Sequence, residues 1–303
     1  MDNMTQQRPE VPIIIIERDE QPQQKTATNT HIQSGKQKWT RRLVQLVVTG
    51  CMMVAVAVAY HYWNYYYNIG VPVSVSPGQN ITKLQSPATP ETSEVVMTSD
   101  SIFGVAMDFY AIHGLRASIE FAEPDTADAS VFLYCRSADH KPDGKHLGSL
   151  VVDGEERQSD THRLGYMAML DGNQVIGISR SDKVKDYVQE HGGSFFRQFV
   201  LVSDGTIPHR FYLHGKVERR AIGRIDNRLY YIATRHKETL WDFADALREY
   251  GFIDAIYITG GADYGFYRDS HGIRHDIGNP STYPHKKWEG IIPWLVFRKS
   301  TQQ

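Results

Sequence analysis

The chain is poor in cysteine, with two in 303 residues. Cys51 lies inside an apolar run and Cys135 far downstream. An intrachain bridge is therefore not expected, and the globular part must rest on its own core. An excess of either charge is also missing. The formal net charge is −2, and from Ser101 onward 25 Lys and Arg face 27 Asp and Glu. A nucleic-acid footprint shows as a basic excess, so that class of partner is excluded. No Walker-type loop and no Gly-x-Ser-x-Gly elbow occurs, which removes P-loop and serine-hydrolase chemistry.

What stands out is Leu43–Trp63, 21 residues without Asp, Glu, Lys or Arg. As a helix at about 1.5 Å per residue it spans about 31 Å, the thickness of a hydrocarbon core. Trp39 on one side and Tyr60, Tyr62, Trp63 and Tyr65–Tyr67 on the other supply interfacial aromatics. Lys36, Lys38, Arg41 and Arg42 precede the run, and the next cation is Lys83. That asymmetry predicts a single-pass anchor with a cytoplasmic N-terminus and a periplasmic or otherwise extracytoplasmic C-terminal part. A cleaved signal peptide has a shorter apolar region nearer the start, so the anchor is favoured over cleavage. It is favoured over a buried core helix by its flanks.

The composition divides the chain into four parts. Residues 1–38, rich in Gln, Thr and Pro, read as a disordered cytoplasmic tail, interrupted by Ile13–Ile16. Residues 39–66 are the anchor with its flanks. Residues 67–100, with Gly70, Pro72, Pro77, Pro87 and Pro90, read as an extended tether carrying the sequon Asn80-Ile81-Thr82. Residues 101–303 form the globular domain. Within it Asp171-Gly172-Asn173, Asp204-Gly205 and Asp226-Asn227 each separate two strand-like runs, predicting three hairpins. Thr239 with Asp242 predicts a capped helix that Gly251 ends, and Lys183–His191 a weaker one. Ile253–Ile258 is a near-continuous apolar run, as for a strand covered on both faces. The expected fold class is α+β: antiparallel, hairpin-rich sheets packed with a few helices, preceded by one transmembrane helix.

Chemistry-bearing residues are scattered. Gly260-Gly261 closes the apolar strand, where backbone without Cβ approaches a ligand closely and offers N–H groups to an anion. Arg219 and Arg220 suit a phosphate held by paired hydrogen bonds. Asp108, Asp139 and Asp263 adjoin Gly-rich or aromatic segments, and glycoside hydrolysis commonly uses two carboxyl groups. His271 and His275 have the spacing of two ligands on a helix, but Gly272 and Gly278 argue against a helix there, so no metal is assigned. Cys135 reads as a core thiol.

Together these segments resemble the phosphodiester glycosidase family over about Val131 to Lys299. The resemblance rests on Leu147-Gly148-Ser149-Leu150-Val151-Val152-Asp153-Gly154, on Phe199–Gly205, and on Arg219-Arg220-Ala221-Ile222-Gly223 as an Arg-x-Ala-x-Gly element. The capped helix, Gly251 and Asp254-Ala255-Ile256 follow in order. The family ends that strand in Leu-Asp-Gly-Gly-Gly-Ser, whereas this chain reads Ile258-Thr259-Gly260-Gly261-Ala262-Asp263. Thr259 thus stands where the family has aspartate. Ser137-Ala138-Asp139-His140 occupies the region of the family's Asn-Gly-Gly-x-Phe element. The resemblance implies removal of a sugar joined through a phosphodiester. Arg219, Thr259, Gly260 and Gly261 would bind the substrate, and the acid–base role would pass to Asp263 or Asp139. Two alternatives stand beside this hydrolase: a degenerate domain that binds glycan or protein, and a structural module tethering envelope components. The expected partners are the membrane and a carbohydrate or sugar-phosphate substrate; no cofactor is assigned.

Overall fold

The structure is a computed structural model that describes residues 30–67, 76–87, 92–141, 143–160, 163–208, 211, 215–279 and 290–299. Most of the N-terminal tail, with Ile13–Ile16, and Gly70, Pro72 and Pro90 of the tether lie outside the described residues. The chain separates into two units, Met1–Val58 and Ala59–Gln303. Helix α1 runs Thr30–Tyr67, beginning within the segment read as a tail. Within it Lys38–Trp63 is a 26-residue span long and apolar enough to cross a membrane. Its apolar side chains, Leu46, Met53 and Val56 among them, are exposed.

The second unit is α+β, with every strand pairing antiparallel. One sheet has the order β1 (Glu94–Ile102), β2 (Val105–His113), β12 (Arg228–Thr234), β11 (Arg219–Ile225), β13 (Asp254–Gly260), β10 (Val200–Val202). A second has the order β15 (Arg274–Gly278), β14 (Tyr264–Arg268), β4 (Val131–Arg136), β16 (Trp294–Lys299), β3 (Leu115–Glu120). The third runs β6 (Glu155–Gln158), β5 (Leu150–Val152), β9 (Ser194–Gln198), β7 (Gly165–Leu170), β8 (Asn173–Ile178). All three sheets turn one face to a common core that holds Ile222, Ile256 and Ile258, Leu133 and Leu295, and Met167 and Phe196.

The outer faces are covered as well. Ala221, Ala255 and Tyr257 pack with Phe243 and Leu247 of α4 (Leu240–Tyr250). Tyr166 and Ala168 pack with Leu84 of α2 (Pro77–Gln85) and Val188 of α3 (Lys183–Glu190). Covering on both sides is why β13 reads as an unbroken apolar run: its alternate residues face two different cores. Glycines allow the closest approaches. A Cβ at Gly165 would meet Ile256 Cγ2 at 2.5 Å, and one at Gly223 would meet the Phe252 ring at 2.5 Å.

Two of the expected hairpins form as drawn. β7 and β8 turn at Asp171-Gly172 and β11 and β12 at Asp226-Asn227, with positive φ at Asp171, Gly172 and Asp226 as tight two-residue turns require. The third is cut short. Asp204-Gly205 makes the turn and Ser203 bridges Thr206, but β10 then pairs with β13. Both helices predicted in the domain form. Thr239 Oγ1 accepts from the Asp242 amide at 3.0 Å, and Gly251 at φ 108° supplies the left-handed stop.

The tether reading needs correction. Ser76 and Gln79 form a reciprocal capping box, so Pro77–Gln85 is helix, and β1 begins at Glu94. Asn80 of the sequon is only 1 % exposed, and its Nδ2 donates to Tyr166 Oη at 2.7 Å. That amide has no room for a glycan in the folded domain.

Gly223→Ala is expected to destabilise the domain by about 1–3 kcal/mol through overpacking against Phe252. Denaturant unfolding of the full chain measures it; an unchanged midpoint would mean the strand and the ring are not in contact.

Candidate active site

The β11–β13 register sets the site. Arg219 pairs with Gly260, Arg220 with Thr259, and Ala221 with Tyr257, so Ile258 is an extra residue in β13. In a regular strand Tyr257 and Gly260 would point to opposite faces; the bulge returns both to the face of Arg219 and Ala221. Arg220 and Thr259 fall on the other face, toward the common core.

On the first face the Arg219 guanidinium is buried and fully oriented. Nε donates to the Glu238 carbonyl at 3.0 Å, Nη2 to the Gly215 carbonyl at 2.7 Å, and Nη1 to Tyr257 Oη at 3.3 Å. None of these acceptors is a carboxylate. A guanidinium has five N–H donors, so one remains on each terminal nitrogen among the described residues. Burial pushes the Tyr257 phenol up to about 12, with nearby Asp139 adding to it and Arg219 opposing. Tyr257 is therefore a neutral hydroxyl at physiological pH.

On the second face Arg220 donates to the Gly261 carbonyl at 2.9 Å and to Glu218 Oε2 at 3.1 Å. Asp263, 4 % exposed, lies with Oδ2 at 3.9 Å from Arg220 Nε, while its Oδ1 accepts the Tyr264 amide at 2.8 Å. Burial raises the Asp263 carboxyl above the ordinary range and outweighs the Arg220 charge. Asp139 follows β4 and is half-buried; its Oδ1 accepts the His140 amide at 2.9 Å. Its carboxyl is also raised, by burial first and by Asp263, against the pull of Arg163 and Arg219. Asp139, Asp263, Arg219 and Tyr257 thus lie within one electrostatic neighbourhood.

The structure brings together most residues singled out from sequence, with changed geometry. Arg219 and Arg220 lie on opposite faces, so they do not form one paired clamp. The Gly261 amide donates to the Glu218 carbonyl at 2.9 Å and helps fix the strand end. Thr259 is buried beside Arg220. Asp108 sits apart, taking the Ser99 hydroxyl at 2.6 Å and facing Arg235 at 3.6 Å. His275 bonds Asp269 at 2.9 Å, and His271 lies in a turn rather than on a helix. Cys135 is buried in the common core.

Three contributors escape a reading of the sequence: Tyr257, Arg136 at the end of β4, and Arg163 just before β7. Arg136 stacks on Trp294 at 3.6 Å and Arg163 on Phe199 at 3.7 Å, and each acts electrostatically on one of the two raised carboxyls. Arg136 closes the strand leading to Asp139, which is a local signal. Nothing near Arg163 in the sequence marks it.

No family model matches the chain, and no curated protein matches it. Two solved structures are similar in fold. The catalytic domain of zebrafish N-acetylglucosamine-1-phosphodiester alpha-N-acetylglucosaminidase, auto-inhibited by its pro-peptide, is 14% identical with a TM-score of 0.49, over 71% of this chain and 85% of that one. A hypothetical protein from Synechocystis is 10% identical with a TM-score of 0.51, over 70% of this chain and 64% of that one. At these identities the likeness is one of fold, and no residue role carries over from either.

Asp263 has a consequence for stability against pH. The unfolded chain releases this proton at the ordinary carboxylate value and the folded chain at a higher one. Between the two the folded state binds more protons, so stability falls as pH rises. Asp263→Asn is expected to flatten that fall from the ordinary carboxylate range upward in denaturant titrations. An unchanged slope would show that Asp263 ionises normally in the fold.

Proposed function

We propose that the chain is a membrane-anchored hydrolase of sugar phosphodiesters or related envelope polysaccharide. The observation that carries this reading is the cationic neighbourhood of Arg219, Arg220, Arg136 and Arg163 around two carboxyls, Asp139 and Asp263, both held above their ordinary range. A phosphodiester is a monoanion, and among the described residues Arg219 retains one N–H on each terminal nitrogen, enough donors for two oxygens of one phosphate. Asp139 is the more accessible of the two carboxyls, and a raised carboxylate is a stronger base than an ordinary one.

In this reading a water attacks the anomeric carbon and gives its proton to Asp139. The anomeric C–O bond breaks, and the phosphate monoester leaves with the electron pair, its charge held by Arg219. The products are free sugar and phosphate monoester. Asp263 takes no part in proton transfer and its charge adds to the rise at Asp139. The α1 span and the cations before it support an anchor with a cytoplasmic N-terminus and the domain on the far side. Thr259, in place of the family's aspartate, favours a second reading, a domain that binds phosphorylated glycan without turnover.

The detergent-solubilised full chain, given a sugar-1-phosphodiester, should release reducing sugar. Arg219→Ala and Asp139→Asn should each lower turnover about 100-fold or more. With Asp139 as base, activity should fall on the acid side with an inflection above the ordinary carboxylate range. Binding of the diester without any release of sugar selects the second reading; full turnover in both variants overturns the site.

A further inference from the structure

We infer that Tyr257 is a positioning residue for Arg219, and that residue 260 is glycine in order to admit the Tyr257 hydroxyl. The inference rests on the anion-binding role proposed for Arg219 and gives that site a specific support. Without the bulge at Ile258, residue 260 would face the opposite side of the sheet from Tyr257. With it, a Cβ on residue 260 would overlap the Tyr257 hydroxyl oxygen, well inside van der Waals contact. The next neighbours of that Cβ are the Glu218 carbonyl oxygen at 3.0 Å and Val217 Cγ2 at 3.1 Å. The hydroxyl is therefore the one severe obstacle to a side chain there, and φ at Gly260 is not in the left-handed region that would itself demand glycine.

The hydroxyl fills that space to accept from Arg219 Nη1 at 3.3 Å, while the guanidinium carbon lies 5.7 Å from the centre of the Tyr257 ring. Two carbonyls and this phenol grip three edges of one planar group, so its remaining donors keep a fixed direction. Removing the phenol oxygen takes away the hold on the Nη1 edge and leaves the plane fixed by two carbonyls only. The space at residue 260, the shared face and the hydrogen bond form one device: a bulge that brings a glycine beneath a tyrosine hydroxyl, and a hydroxyl that aims an arginine.

The test is a double-mutant cycle in the full chain. Inorganic phosphate affinity is read by calorimetry and stability by denaturant unfolding. Gly260→Ala alone should weaken phosphate binding about tenfold or more and lower the unfolding midpoint, whereas in a Tyr257→Phe background the same substitution should change both far less. Tyr257→Phe alone should weaken phosphate several-fold with its unfolding midpoint nearly unchanged, a pattern that a purely structural tyrosine would not give. Equal effects of Gly260→Ala in the two backgrounds overturn the fit between hydroxyl and glycine. Phosphate binding that is lost in Arg219→Ala but unaltered in Tyr257→Phe overturns the positioning role and leaves the proposed function standing. If the unaltered chain binds no phosphate, the anion site fails together with the positioning role, and the stability cycle still decides whether hydroxyl and glycine touch.

Discussion

One extra residue in β13 governs the end of the central sheet. The register jump between the Arg220 and Ala221 pairs leaves Ile258 without an opposite number and reverses which face each later residue occupies. Arg219, Tyr257 and Gly260 then share one side, and Arg220 and Thr259 the other. A regular strand would have put Gly260 on the core side and a side chain beneath the Tyr257 hydroxyl. Bulges commonly re-aim side chains beside functional sites, and here the re-aiming separates two adjacent arginines into different surroundings.

Those surroundings treat charge differently, for Arg220 faces the carboxyls of Glu218 and Asp263. Arg219 is held by backbone carbonyls and a phenol. Arg197 gives three hydrogen bonds to the carbonyls of Arg163, Ser179 and Ser181 and one to the Asp182 carboxylate, and Arg136 gives one to the Ile292 carbonyl. Carbonyl dipoles satisfy a buried guanidinium without cancelling its charge. Burial raises the carboxyls of Asp139 and Asp263 above their ordinary range against the pull of the cations near them.

Much of the scaffold was readable from local pattern. The β7–β8 and β11–β12 hairpins, α4 with its Thr239 cap and Gly251 stop, and the buried strand before Gly260 follow from turn residues, caps and periodicity. Local pattern fails where a distant partner decides. Ser76–Gln85 looked like linker because its capping box is short, and its helix docks through Asn80 on Tyr166, 86 positions away. The third hairpin ended early because β13 claims β10. Asp139, Arg219 and Asp263 were legible as residue types near glycine-rich turns. Tyr257 was not, because in the sequence it is one more aromatic in an apolar run, and its role depends on a bulge that no composition signals. Arg163 reaches the site only through the packing of the third sheet.

The account stands or falls on an anion seated against Arg219. A crystal of the full chain soaked with a sugar 1-phosphate tests this most directly. The account predicts phosphate oxygens within hydrogen-bond distance of both Arg219 terminal nitrogens and the anomeric carbon turned toward Asp139. Phosphate bound at another place, with the Arg219 edge facing only protein, would contradict it.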